Sequence, residues 1–182
     1  MIQTPSESGQ YREYIRFIMR MFELARRGQL ESDDANLRRE EIEGVWDTLS
    51  RDEKKRLRGL SMDLKYLLKS GRSGVGPLTG KEPAEIHELV KNETDPDRRL
   101  ERLREFQDKM PASMVSFIRG RIWNEWEIPD VAAEFFLDAR RFNDEDPFLQ
   151  GTYLQALRYA DLPEAKKMAN AIQAEDQSDS HR

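Results

Sequence analysis

Apolar residues recur at helical spacing along the first 69 positions and divide this stretch into three helices. Gly28 is placed to end the first helix, and Ser32 is a typical N-cap for a second helix. Ser50 and Glu53 form a capping-box pattern, in which each side chain bonds the other's backbone, and this pattern starts a third helix. We therefore expect residues 1–69 to form an N-terminal three-helix unit. The later turns of the second helix carry apolar residues at helical spacing, and one face of the third helix is apolar. These residues are Ile42, Val45, Trp46 and Leu49 in the second helix and Leu57, Leu60, Leu64, Leu67 and Leu68 in the third.

The segment 70–82 has four glycines and no apolar period, so it is predicted to be a glycine-rich linker and a domain boundary. Helical periodicity returns after it, and no segment alternates as a strand does, so the whole chain is predicted to be all-α. The tail 175–182 is polar. The six helical segments predicted beyond the linker span 83–91, 96–109, 112–126, 129–142, 147–160 and 163–174.

A degenerate repeat runs through the second half of the chain. Residues 127–130, Glu-Ile-Pro-Asp, recur 34 positions later as Asp-Leu-Pro-Glu at 161–164. A period near 34 residues is typical of stacked helical hairpins. With Gly120 at a small position and Trp123 at an aromatic position of one helix, residues 113–172 resemble the tetratricopeptide repeat, and the resemblance continues more weakly back to 83. The matching residues of the next helix are Ala132, Phe136 and Ala139.

The resemblance implies about three antiparallel helix hairpins over residues 83–174 and a peptide-binding face made by their first helices. Two residues depart from the family pattern, because Ser116 and Arg119 stand where the family prefers tryptophan and leucine. Phe117 and its apolar neighbours also fit a plain core position. Carried over by position, the partner-binding residues would be Phe117, Arg121, Asn124, Glu125, Gln150, Leu154 and Arg158.

Composition narrows the possible functions. The 182 residues include no cysteine, which excludes disulfides and thiolate chemistry, and charged residues make up 36% of the chain with a net charge of -5. No stretch is apolar enough to cross a membrane, and no leader sequence is recognisable, so a cytoplasmic protein without a membrane partner is expected. The negative net charge makes nucleic acid an unfavoured partner. A homo-oligomer stays possible.

Two short motifs resemble ligand sites and lack the residues that such sites need. His87 and Glu88 begin the pattern of a helical zinc protease, yet Lys91 occupies the position of the second histidine. Gly80 and Lys81 resemble a phosphate loop without the hydroxyl residue that follows it. We therefore identify no catalytic, cofactor-binding or metal-ligating residue, and an enzyme of unrecognised type is only a second alternative.

Two basic stretches support a different alternative. Residues 51–69 and residues 98–121 each hold seven lysines and arginines against three acidic residues. If both stretches faced one groove, they could bind phosphate groups of a nucleic acid. The expectation that the repeat resemblance favours is a non-enzymatic protein-interaction module, a scaffold or adaptor that binds a peptide or a partner helix.

Overall fold

The computed structural model describes residues 9–69, 72, 92–142, 151–153, 155–157 and 170. Every regular element in these ranges is helical, which confirms the all-α prediction for them. The chain divides into two compact units, Met1–Gly71 and Arg72–Arg182. The predicted segment 83–91, the segment 163–174 apart from residue 170, and most of the predicted linker lie outside the described residues.

In the first unit, α1 (Gly9–Arg26), α2 (Asp33–Ile42), α3 (Val45–Thr48) and α4 (Arg51–Leu67) follow one another. Helix α1 contacts the other three, and its buried apolar face forms the core with buried residues of α2 and α4. The buried residues of α1 are Tyr11, Ile15, Ile18, Phe22 and Leu24.

The predicted helix boundaries of this unit are largely confirmed. The Ser32 hydroxyl accepts a hydrogen bond from the Ala35 amide at 3.3 Å. Both bonds of the capping box are present, from the Glu53 amide to the Ser50 hydroxyl at 3.2 Å and from the Ser50 amide to the Glu53 carboxylate at 2.8 Å. Such caps satisfy amides that the helix itself leaves without an acceptor.

The prediction of three helices in this unit is wrong in one respect, because the second helix is interrupted at Glu43 and Gly44. The Glu43 amide bonds the Glu40 carbonyl three residues back, and α3 then begins at Val45 as a separate turn. Glycine is a poor helix former, so the interruption falls at a position of low helical preference. The unit therefore has four helices in its described residues.

In the second unit, α5 (Pro96–Phe106) is followed by a 3-10 turn (Gln107–Lys109), α6 (Ala112–Glu125) and α7 (Pro129–Phe142). Residues 151–153 and 155–157 are also helical. The predicted segments 96–109, 112–126 and 129–142 are thus confirmed, including the two helix starts at proline. Helices α6 and α7 form the most extensive pair of the described elements.

Candidate functional site

The pairing of α6 with α7 depends on the absence of a side chain at Gly120. A β-carbon built there would lie 2.6 Å from the Cδ1 and Cε1 atoms of Phe136, closer than carbon atoms approach in proteins. The Phe117 ring lies on the same side, with its centroid 5.9 Å from that of Phe136. Ala132 and Ala139 are fully buried along α7. Small residues at these positions therefore let the two helix backbones come close together.

Helix α6 is buried on all sides over about its first two and a half turns. Every residue from Ala112 to Gly120 is buried, and only Arg121, Asn124 and Glu125 of the last turn are exposed. A helix that lines an open groove keeps one face exposed along its length. The exposed surface of α6 is thus confined to its C-terminal turn, which we call the α6 end.

The structure separates the predicted partner-binding residues into three groups. Phe117 is in the core against Phe136, the plain core position that the sequence also allowed. Arg121, Asn124 and Glu125 are exposed together at the α6 end. Gln150, Leu154 and Arg158 lie outside the described residues.

A closed backbone turn fixes the α6 end. The Ile128 amide donates to the Trp123 carbonyl at 3.1 Å, and the Glu127 amide donates to the Asn124 carbonyl at 3.0 Å. These two bonds form a Schellman motif, which ends a helix with one residue in the left-handed conformation. Glu127 is that residue, with a φ of 58°. The buried rings of Trp123 and Trp126 pack edge to face below the turn, with centroids 4.9 Å apart.

An ion pair ties the α6 end to α5. The guanidinium of Arg99, which is almost buried, donates hydrogen bonds from Nη1 and Nη2 to the Glu125 carboxylate. This paired arrangement fixes the direction of both side chains. Arg99 is consequently removed from the basic surface that the sequence suggested for residues 98–121. Glu125 remains partly accessible beside Arg121 and Asn124.

Ser116 and Arg119, the two residues that depart from the repeat pattern, both make buried polar contacts. The Ser116 hydroxyl donates to Asp138 Oδ2 at 2.6 Å. Arg119, which is fully buried, donates from Nη2 to Gln107 Oε1 at 2.7 Å, and its guanidinium carbon lies 5.9 Å from the centre of the Phe135 ring. Buried polar groups need such partners, because an unsatisfied one destabilises the fold.

Arg72 completes the contacts of Asp138. Its Nη1 and Nη2 atoms donate to Oδ2 and Oδ1 of the carboxylate, each at 2.7 Å, and its guanidinium carbon lies 5.6 Å from the centre of the Phe142 ring. The Asp138 carboxylate therefore accepts three hydrogen bonds within the core of the second unit. In the sequence, the only signal of this cluster is an aspartate at a core position of an otherwise apolar helix face, and that signal does not identify its partners.

The basic stretch 51–69 is organised differently from 98–121. Exposed cations follow one face of α4, whereas Asp63 is buried and Glu53 is engaged in the capping box. At the edge of that face, Lys54 Nζ and the guanidinium carbon of Arg58 lie 5.7 and 5.3 Å from the Trp46 ring centre. Cations at this distance from an aromatic face are attracted to it. In the other stretch, Arg99 and Arg119 are buried, so fewer of its cations face solvent.

A cleft of about 310 Å³ lies between α1 and α2. Two of its three arginines have carboxylate partners: Arg20 bonds Glu23 at 2.9 Å and Asp34 at 3.1 Å, and Arg38 bonds Glu41 at 2.8 Å. The hydrogen bonds to Glu23 and Asp34 raise the pKa of Arg20. Because Arg20 and Arg38 already have carboxylate partners, and the carboxylates of Glu13 and Glu41 also line it, the cleft is a weak candidate for an anion site. It is lined by Glu13, Arg16, Phe17, Arg20, Arg38, Glu41 and Ile42.

Within the described ranges, no helix is long and apolar enough to cross a membrane, and no group of three acidic or histidine side chains could hold a metal ion. No family model matches the chain, and neither a curated protein nor a solved structure matches it. The resemblance of 113–172 to the tetratricopeptide repeat therefore depends on the residues of this chain alone.

Proposed function

We propose that this protein is a non-enzymatic interaction module of tetratricopeptide-like type that binds a peptide or a partner helix at the α6 end. The observation that carries the proposal is the contrast along α6, which is enclosed over about two and a half turns and then presents three polar side chains together. Arg121, Asn124 and Glu125 offer a cation, an amide and an acceptor within two turns of helix. A partner could therefore form several directional hydrogen bonds there.

The surroundings of the α6 end favour binding without rearrangement. The Schellman motif fixes the backbone, the buried Trp123 and Trp126 rings support it from below, and Arg99 holds Glu125 in place. A surface that is already ordered loses less conformational entropy on binding, so more of its interaction energy appears as affinity. In the family that the chain resembles, the adjoining hairpin extends this face, and Gln150, Leu154 and Arg158 would hold that position here.

The test compares two charge reversals on the same hairpin. Arg121→Glu changes the α6 end, and Arg141→Glu changes an exposed residue at the opposite end of α7. A photo-crosslinking residue placed at Asn124 in the native cell first captures the partner, with the same residue at Arg141 as the control. We expect Arg121→Glu to weaken binding of the captured partner by about tenfold or more, as a loss of about 1.4 kcal/mol does, and Arg141→Glu to leave it unchanged. Equal crosslinking at both positions would contradict the proposal.

A nucleic-acid-associated protein is the second candidate, and the exposed cations of α4 beside Trp46 favour it. Basic side chains next to an aromatic ring are a common arrangement for binding single strands. If this candidate is right, affinity for an oligonucleotide falls steeply with salt, and replacing Lys54, Lys55 and Arg58 by alanine reduces the log-log slope by roughly one unit for each phosphate that is no longer bound. An absence of oligonucleotide binding near physiological salt removes this candidate.

A further inference from the structure

Helix α4 carries an exposed stripe of cations interrupted by one apolar residue. The stripe, which we call the α4 stripe, consists of Arg51, Lys55, Arg58, Met62 and Lys65, all exposed and spaced alternately four and three residues apart. This spacing places them along one face of the helix. Two of the three acidic residues of α4 lie away from the stripe, since Asp63 is buried and Glu53 bonds the Ser50 amide.

Helix α2 of the same unit carries a stripe of opposite charge. Asp33, Leu37 and Glu40, which we call the α2 stripe, are exposed and occupy one face at spacings of four and three. Asp33 and Glu40 make no ion pair with any residue in the described part of the chain. The two nearby arginines are occupied, Arg38 by Asp34 and Glu41, and Arg39 by the Asn36 side chain and the Leu30 carbonyl.

The two stripes match in spacing as well as in charge. Arg58, Met62 and Lys65 have the same separation along the chain as Asp33, Leu37 and Glu40. Each set spans about 10 Å of helix, at a rise of about 1.5 Å per residue. Each set also has an apolar side chain between its two charges.

Those two apolar side chains are unusually exposed. Met62 is 62% exposed and Leu37 is 51% exposed, the two highest values among the large apolar residues in the described ranges. Leaving such side chains in water costs free energy that contact with another apolar surface recovers. Both α2 and α4 pack on α1, so one small unit presents both stripes on its surface.

We propose that the occupant of the α4 stripe is the α2 stripe of a second copy of this chain, and that the contact is reciprocal. In the resulting two-fold dimer, Met62 packs on Leu37 of the second copy, and Arg58 and Lys65 pair with its Asp33 and Glu40. The same contacts are made in reverse, as a two-fold interface requires. The acidic α2 stripe in the same unit repels nucleic acid, which makes a polyanion the less suitable occupant.

The test uses complementary charge reversals in the full chain. Lys65→Glu places a glutamate opposite Glu40 of the second copy, and Glu40→Lys places a lysine opposite Lys65, so each variant alone has two like-charge contacts per dimer. A dimer of one Lys65→Glu chain with one Glu40→Lys chain has opposite charges at both of these contacts. Sedimentation velocity over a concentration series at low salt measures the dimer dissociation constant.

We expect wild type to dimerise, each single variant to dimerise at least about tenfold more weakly, and the equimolar mixture to recover affinity to within about threefold of wild type. Raising the salt concentration weakens the wild-type dimer because the paired charges are exposed. Met62→Ser also weakens the dimer, although it does not change the charge of the chain. Arg102→Glu and Glu105→Lys, at exposed positions of α5, serve as matched controls and leave it unchanged. Circular dichroism verifies that every variant is folded.

Three outcomes would overturn the proposal. The first is a wild-type chain that is monomeric throughout the concentration series. The second is a mixture that associates no better than the separate variants. The third is a loss of dimer affinity in Lys65→Glu but not in Glu40→Lys, together with Lys65-dependent binding of a labelled single-stranded oligonucleotide. This result would assign the α4 stripe to nucleic acid instead. None of these results depends on the α6 end, so they leave the proposed function to its own test.

Discussion

At the scale of single residues, two helix ends use the same backbone motif with different residues at its critical position. The Gly28 amide bonds the Ala25 carbonyl at 3.0 Å and the Gln29 amide bonds the Leu24 carbonyl at 2.8 Å, which is the Schellman pattern also found at the α6 end. The left-handed residue is Gly28 after α1 and Glu127 after α6, with φ of 70° and 58°. The sequence predicted the first end, because glycine favours this conformation, whereas a glutamate gives no such signal.

Substitutions at these two positions should change the free energy of unfolding in opposite directions. Glu127→Gly relieves a left-handed conformation that costs a residue with a β-carbon about 1 kcal/mol, so we expect the free energy of unfolding to rise by about 0.5 to 1 kcal/mol. Gly28→Ala should lower it by about 1 kcal/mol, since nothing lies within 4 Å of the new methyl group and only the backbone is strained. Urea unfolding measures both. Glu105→Gly inside α5 is the control and should be destabilising, and a destabilised Glu127→Gly protein would contradict the assignment.

Gly120 of α6 packs directly against the ring of Phe136 in α7. Gly120→Ala should destabilise the protein by about 1 to 3 kcal/mol, because the added methyl group overlaps a buried ring. Ala132→Leu should have a similar effect at another fully buried position. In a Phe136→Leu background the penalty for Gly120→Ala should shrink, and a double-mutant cycle measures the difference. Equal penalties in both backgrounds would show that Phe136 is not the obstacle.

At the scale of elements, helix boundaries were predictable from caps and prolines, and polar contacts between helices were not. Ser32, Ser50, Pro96 and Pro129 each act within one turn of helix, so local sequence specifies them. Asp138 is different because its partners come from α6 and from Arg72, which is 66 positions away. Such a contact depends on tertiary packing, and a periodic pattern carries no information about which polar residues meet.

The cluster of Arg72, Asp138 and Ser116 should be strongly coupled. Arg72→Met leaves the buried Asp138 carboxylate without its cation, and we expect a loss of about 3 to 5 kcal/mol. Asp138→Leu alone should also be costly, whereas the double variant Arg72→Met with Asp138→Leu should be less unstable than the sum of the two. Ser116→Ala removes one hydrogen bond and should cost about 1 kcal/mol. Additive effects of Arg72→Met and Asp138→Leu in chemical unfolding would contradict a direct pair.

At the scale of the whole molecule, the charge of the chain is informative only after it has been located on helices. Seven acidic residues against two arginines occupy 31–47, and the reverse excess follows at 51–69. The sequence supplied these counts, yet it could not show that Asp63 and Arg119 are buried or that Arg99 is paired. Burial removes some charges from the surface and leaves others in stripes. The candidate surfaces were therefore only partly predictable, and the α6 end was predictable only in its exposed residues.

The second unit begins at Arg72, and this boundary can be tested with fragments of the chain. The sequence places residues 70–82 in a linker, but Arg72 bonds Asp138 within the second unit. Each unit has its own buried apolar residues, so fragments 1–71 and 71–182 should each unfold cooperatively. Trp46 reports on the first fragment by fluorescence, and Trp123 and Trp126 report on the second. If Arg72 belongs to the second unit, a fragment beginning at position 83 should be less stable than 71–182 by about 3 to 5 kcal/mol.

The control for this comparison is the fragment 71–182 carrying Arg72→Met, which keeps the length of the longer fragment and loses only the cation. We expect its stability to lie close to that of the fragment that begins at position 83, because both leave Asp138 without a charged partner in the core. A shorter fragment as stable as 71–182 would mean that the ion pair contributes little and that the linker boundary drawn from glycine content is the right one. A control as stable as 71–182 beside an unstable shorter fragment would instead assign the difference to other residues of the segment 71–82.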